Sequence, residues 1–174
     1  NTVVDIYKYI YENTNPPKNI QNIIDMNQEY IVVTLHRREN RGEKIYSMWD
    51  QLNLLSDNYK FIYITHPSLP RTTLNNRNIV LLDPQNYESM VHLIRNSKGI
   101  ITDSGGLQEE AVCANKRVLV CRDTTERPET INCGLGKLID TQIIENIDFF
   151  NENNNNAIEN PYGNNVCEKM IKIL

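Results

Sequence analysis

The stretch Gly99-Ile-Ile-Thr-Asp-Ser-Gly-Gly-Leu-Gln-Glu-Glu110 decides the fold. It opens as an apolar run, passes through Ser104-Gly105-Gly106 and enters a helix-like pattern at Gln108, Glu109 and Glu110. That reads as a strand, a tight turn and a helix N-terminus. Ser104 is a good N-cap residue. Gly105 and Gly106 let backbone N–H groups approach a ligand closely. The N–H groups and the dipole of a helix start favour an anion, typically phosphate. Glu110 lies six residues into the helix, roughly 9 Å along its axis at about 1.5 Å per residue. A carboxylate there suits ribose hydroxyls while the helix start holds a pyrophosphate. The plainer reading is a turn followed by acidic residues that serve only the dipole.

Working outward, short apolar runs alternate with helical spacing. Strands are read at Tyr30 to Thr34, Phe61 to Ile64, Asn78 to Leu82, Gly99 to Thr102, Arg117 to Cys121 and Lys137 to Ile139. Helices are read at Thr2 to Tyr11, Lys44 to Ser56, Asn86 to Asn96, Leu107 to Cys113, Ile143 to Phe150 and Asn165 to Ile173. The segment Asn13 to Lys18, with Pro16-Pro17, breaks the first helix. The Asn153 to Asn156 run reads as a solvated loop. Alternation of this kind predicts an α/β fold, a Rossmann-like parallel sheet with helices on both faces.

The chain of 174 residues suits one domain with a real core. Its net charge of −4 offers no basic excess for nucleic acid. No apolar run is long enough for a membrane-spanning helix, and no signal-peptide pattern opens the chain. Cys113, Cys121, Cys133 and Cys167 lack C-x-x-C spacing. They therefore read as thiols of a reducing compartment rather than zinc ligands. Cytoplasm is the default location.

In parallel sheets ligands sit outside the carboxyl ends of the strands. Here those ends carry nearly all of the unusual polar chemistry: Leu35-His-Arg-Arg-Glu-Asn40, Thr65-His-Pro67, Asp83-Pro-Gln-Asn-Tyr87, Asp103-Ser-Gly-Gly106 and Arg122-Asp-Thr-Thr-Glu-Arg-Pro128. Arg37 and Arg38 could meet a diphosphate, since guanidinium suits bidentate phosphate contacts. His36 could act as a general acid or base or donate to a phosphate oxygen. The plainer alternative pairs Arg37 or Arg38 with Glu39 or Glu43. His66 lines a pocket or merely orders its loop. His92, inside a helical pattern, is surface or packing. Tyr87 lies against a base or is a plain core aromatic. Pro128 suits the first position of a short helix capped near Arg127. Glu126 could simply pair with Arg127 or Arg122.

Taken together, five strings resemble the non-hydrolysing UDP-N-acetylglucosamine 2-epimerases. They are Thr34-Leu-His-Arg-Arg-Glu-Asn40, Thr65-His-Pro67, Asp103-Ser-Gly-Gly-Leu-Gln-Glu-Glu-Ala111, Arg122-Asp-Thr-Thr-Glu-Arg-Pro-Glu129 and Asn160-Pro-Tyr-Gly163. The resemblance implies the C-terminal half of a two-domain GT-B enzyme, with Asn1 to Asp5 at the domain junction and the N-terminal domain outside this chain. It implies that residues 1–174 form a single UDP-binding domain. Ser104 with the Gly105 and Gly106 backbone would hold the diphosphate, and Glu110 the ribose. His36 would lie by the leaving group, with Arg122 or Arg127 completing the anion site. Arg37 and His66 would help bind a second, activating UDP-sugar between the domains.

The implied reaction is interconversion of UDP-GlcNAc and UDP-ManNAc through UDP elimination and re-addition, by way of 2-acetamidoglucal. No NAD or metal enters it. The carboxylates that move the C2 proton would lie in the other domain, so the chain is expected to bind UDP without turning substrate over. The full-length protein is expected to be a homodimer serving cell-surface polysaccharide synthesis. Two enzyme readings compete, an epimerase of a 6-deoxy UDP-amino sugar and the donor domain of a GT-B glycosyltransferase. A degenerate binding module is the non-enzyme alternative.

Overall fold

The structure is a computed structural model and describes residues 1–152 and 159–171. In chain order the elements are α1 (Val3–Asn13), α2 (Lys18–Ile24), β1 (Tyr30–Thr34), α3 (Glu43–Leu55), β2 (Lys60–Ile64), β3 (Ile79–Leu82), α4 (Tyr87–Asn96), β4 (Gly99–Thr102), α5 (Gly105–Cys113), β5 (Arg117–Val120), α6 (Pro128–Asn132), β6 (Gly136–Leu138), α7 (Ile143–Asn146) and α8 (Val166–Ile171). The strands make one parallel sheet in the order β3-β2-β1-β4-β5-β6. The order reverses between β1 and β4, and a crevice opens at such a switch point.

Side chains alternate between the two faces of each strand, giving two apolar clusters. On one face Ile31, Val33, Phe61, Tyr63, Ile101 and Leu119 pack under Ile45, Met48, Trp49 and Leu52 of α3 and Ile143 of α7. On the other, Val32, Ile62, Ile100, Val118 and Val120 meet Ile20 and Ile23 of α2, Val91, Leu93 and Ile94 of α4 and Ala111 of α5. Trp49 is buried with a partner, its Nε1 donating to Tyr63 Oη at 2.9 Å. Helices therefore cover both faces, as the alternation predicts.

The differences from the sequence reading lie at element ends and in short helices. Helix α5 begins at Gly105, two residues before the expected Leu107. The expected helix from Ile143 to Phe150 becomes α7 followed by a 3-10 turn over Ile147–Asn151. The last strand is Gly136–Leu138 rather than Lys137 to Ile139. Helix α2, seven residues long with Ile20 and Ile23 buried, is not read from sequence. The end of the last predicted helix, 172–173, and the 153–156 run lie outside the described residues. Helix α6 starts with Pro128 at its first position and Arg127 at its cap, as predicted. Among the described residues no helix is long and apolar enough to cross a membrane.

Gly99 shows how tightly the second strand of the switch point is packed. A Cβ there would run into the Phe150 ring and lie 2.9 Å from the Arg117 carbonyl oxygen. Gly99→Ala is expected to destabilise the chain by about 1–3 kcal/mol, the usual range for overpacking. The urea unfolding midpoint measures it, and an unchanged midpoint would contradict this packing.

Candidate functional site at the switch point

The ends of β1 and β4 are stitched together by two threonines and one carboxylate. Thr34 and Thr102 are register partners, and their hydroxyls meet at 2.7 Å. Thr102 Oγ1 also accepts from the Ser104 N–H at 3.0 Å. This bends the chain out of β4 into the α5 start. Asp103 is fully buried. It accepts from the His36 N–H at 2.9 Å, the Arg37 N–H at 2.8 Å and Asn40 Nδ2 at 3.0 Å. Asn40 also donates to the Cys121 carbonyl at the end of β5. Asp103 and Asn40 thus tie three strand ends into one floor. Sequence reasoning passed over both, although they stand inside its two main motifs.

On this floor His36 stacks on His66, with ring centroids 4.9 Å apart. His36 Nδ1 lies 3.4 Å from Asp103 Oδ1. That contact favours the ring proton on Nδ1 and leaves Nε2 as the basic atom. Burial lowers the His36 pKa, against the pull of Asp103, with His66 and Arg37 lowering it further. The imidazole is therefore neutral near pH 7. His66 accepts the Ser68 N–H through Nδ1 at 3.1 Å, so its loop role is realised as well. A cavity of about 740 Å³ lies beside His66 under the 65–75 loop, floored by Trp49 and Tyr63. It includes none of the α5 start.

Ser104 occupies the N-cap position, but its side chain makes no capping hydrogen bond. The sequence expectation holds for the position and not for the bond. Gly106 is exposed and Gly105 buried. Gln108 is buried, accepts from Thr125 Oγ1 at 2.6 Å and donates to the Ser104 carbonyl at 3.2 Å. It was not singled out from sequence, and it is the strut holding the 122–127 loop to α5.

Glu110 is buried, and its Oε2 has no hydrogen-bond partner. Burial pushes its pKa up to about 7, with Glu109 adding to the effect. Tyr87, the first residue of α4, is half-buried, and its hydroxyl is likewise buried without a partner. Burial raises the pKa values of Tyr87 and Tyr7, with the Glu110 carboxylate adding to the effect. His92 is buried packing, with its Nε2 3.0 Å from Thr14 Oγ1.

Of the four arginines read as anion ligands, Arg38 is exposed, and Arg37, Arg122 and Arg127 are already paired. Arg37 Nη2 donates to Glu126 Oε1 at 3.0 Å. Arg122 donates to Glu126 and, at 3.1 Å, to Glu39. Arg127 pairs with Glu109. The expected alternative partners Glu39 or Glu43 for Arg37 are not used. No cluster of His, Cys, Asp or Glu among the described residues is arranged to hold a metal.

A parallel sheet in the 3-2-1-4-5-6 order, with a Gly-rich helix start at its switch point, defines the Rossmann-like class. The sequence profile of the UDP-N-acetylglucosamine 2-epimerase family matches residues 1–174, and the chain belongs to that family, an isomerase family. It is 34% identical to the UDP-N-acetylglucosamine 2-epimerase of Campylobacter jejuni, over 100% of this chain and 53% of the relative. A crystal structure of the Neisseria meningitidis enzyme bound to UDP-GlcNAc matches with a TM-score of 0.79 and 32% identity, over 99% of this chain and 53% of that one. The Methanocaldococcus jannaschii enzyme in complex with UDP-GlcNAc and UDP matches with a TM-score of 0.81 and 27% identity, over 99% and 52%. The chain therefore spans about half the length of these relatives.

Proposed function

We propose that residues 1–174 form the C-terminal, UDP-binding domain of a UDP-GlcNAc 2-epimerase. The observation that carries this is Glu110, a buried carboxylate with an unpartnered oxygen, on the same helix as an uncapped, glycine-rich start. A buried acceptor without a donor is costly unless a ligand supplies one. Ribose hydroxyls are such donors. In this reading Ser104 Oγ and the Gly105 and Gly106 N–H groups hold the diphosphate, Glu110 the ribose, and Tyr87 borders the base. Arg122 and Arg127 serve the anion at the rim. Arg37, which reaches the α5 start, is shared between that diphosphate and a second UDP-sugar in the inter-domain cleft, which His66 also faces.

The reaction breaks the sugar C1–O bond to UDP and removes the C2 proton, leaving a C1=C2 double bond. Re-addition of UDP at C1 and a proton at C2 from the opposite face inverts C2. His36, neutral and with Nε2 available, suits a proton or hydrogen-bond exchange with the departing diphosphate. Groups that move the C2 proton are assigned to the half of the enzyme beyond this chain. The chain alone then binds UDP and does not epimerise.

Calorimetric titration of the folded chain with UDP tests the reading. Binding at micromolar to millimolar strength is expected, weakened about tenfold by Ser104→Ala and by Glu110→Ala, the worth of a hydrogen bond or two. A folded chain that takes up no UDP would refute the reading, as would robust epimerisation by the chain alone for its second half.

A further inference from the structure

The seat for an anion over α5 already holds one. A Cβ at Gly105 would lie 2.8 Å from Glu126 Oε1 and 3.8 Å from Arg37 Nη2. The Glu126 carboxylate and the Arg37 guanidinium therefore both stand over the first residue of the helix. One carboxylate oxygen takes Arg37, the other takes Arg122. The first N–H groups of a helix have no intrahelical acceptor, and its dipole draws negative charge there. A carboxylate clamped by two guanidiniums at this point reproduces the surroundings of a bound phosphate.

We propose that Glu126 is a built-in competitor for the diphosphate seat, which a nucleoside diphosphate enters only by displacing its carboxylate from Arg37 and Arg122. The proposal rests on the UDP-binding reading of the same site. Three features suit Glu126 to leaving. Its side chain is 44% exposed, so it swings into water without a burial penalty. The backbone around it is held separately, by Thr125 on Gln108 and by Arg127 on Glu109. Only its own contacts break. A diphosphate, finally, brings more charge and more acceptor oxygens than one carboxylate, so it can take both guanidiniums. Glu126 then acts as a specificity-determining residue. It withholds the arginines from small monoanions and yields them to a polyanion, while a neutral nucleoside neither gains nor loses.

The alternative is that Glu126 merely positions the arginines for the ligand, and the two roles predict opposite signs. Calorimetry of wild type and Glu126→Gln with UDP and with uridine separates them. A competitor predicts that the variant binds UDP about tenfold more tightly and uridine unchanged. UDP affinity that is unchanged or weaker in a variant with the wild-type unfolding midpoint overturns it. Should the variant not fold, the side-chain carboxyl carbon shift of Glu126 is followed in the wild-type chain at pH 7 by NMR. Saturation with UDP is expected to move it to the value of a solvated glutamate, and an unmoved signal overturns the proposal. UDP failing to bind either protein removes the nucleotide reading itself, and the competitor with it.

Discussion

Asp103→Ala is expected to lower the folding free energy by about 3–5 kcal/mol, the usual loss when a buried, paired charge is removed from its donors. The carboxylate is 0% exposed, yet three donors from the β1 end converge on it: two backbone N–H groups and Asn40 Nδ2. Alanine leaves these donors around a small void. Each unsatisfied buried donor costs about 1–3 kcal/mol, and the two at the loop recover part of that from water. Asp103→Asn retains one acceptor oxygen and is expected to lose less than the alanine variant. Urea unfolding at pH 7 measures both. An alanine variant within about 0.5 kcal/mol of wild type, the range of a neutral surface change, would show that the three strand ends do not depend on this carboxylate.

The second large effect concerns Glu110 and runs in the opposite direction. Its folded pKa of about 7 lies above its ordinary 4.5. Between those values the folded chain keeps a proton that the unfolded chain has released. The group's contribution is therefore fully present below pH 4.5 and is lost as pH rises through 7. At about 1.4 kcal/mol per pKa unit, the loss is about 3 kcal/mol. Glu110→Gln cannot ionise. Its stability relative to wild type is expected to grow by about 2.5 kcal/mol between pH 5 and pH 8. Taking the difference between the two proteins cancels other titrating groups. Glu126 and His36, whose pKa values are lowered, contribute stability in the reverse sense, lost as pH falls. Unfolding curves for both proteins across this range check the prediction, and parallel pH profiles would contradict it. On the proposed reading, the same variant is expected to bind UDP less well, stability gained at the expense of recognition.

These two residues differ in how readable they were. Glu110 announced itself through its distance from a Gly-rich helix start, which is a local property of the chain. Asp103 stands one residue before Ser104, and nothing local sets it apart from any acidic turn residue. Its importance comes from His36, Arg37 and Asn40, more than sixty residues away in sequence. Helix α2 was missed for a related reason. Its sequence, Lys-Asn-Ile-Gln-Asn-Ile-Ile, spaces Ile20, Ile23 and Ile24 helically but over only seven residues, too short a window to stand out from sequence, and the burial of Ile20 and Ile23 beside α4 holds it.

The arginines teach the same lesson in reverse. Arg37 reads as a candidate phosphate ligand by residue type and strand-end position, and Arg122 only through the family resemblance. That Glu126 already bridges them, reaching Arg37 across 89 residues, is a consequence of strand order. Sequence alone determined the alternation of strands and helices, the turn at Ser104 and the concentration of polar residues at one edge. Periodicity, turn chemistry and helix starts are local, and a single stretch of chain carries them. Tertiary structure alone decided which of those residues meet. The order β3-β2-β1-β4-β5-β6 brings the ends of β1, β4 and β5 side by side, and parallel pairing between distant strands is set by how whole faces bury their apolar side chains.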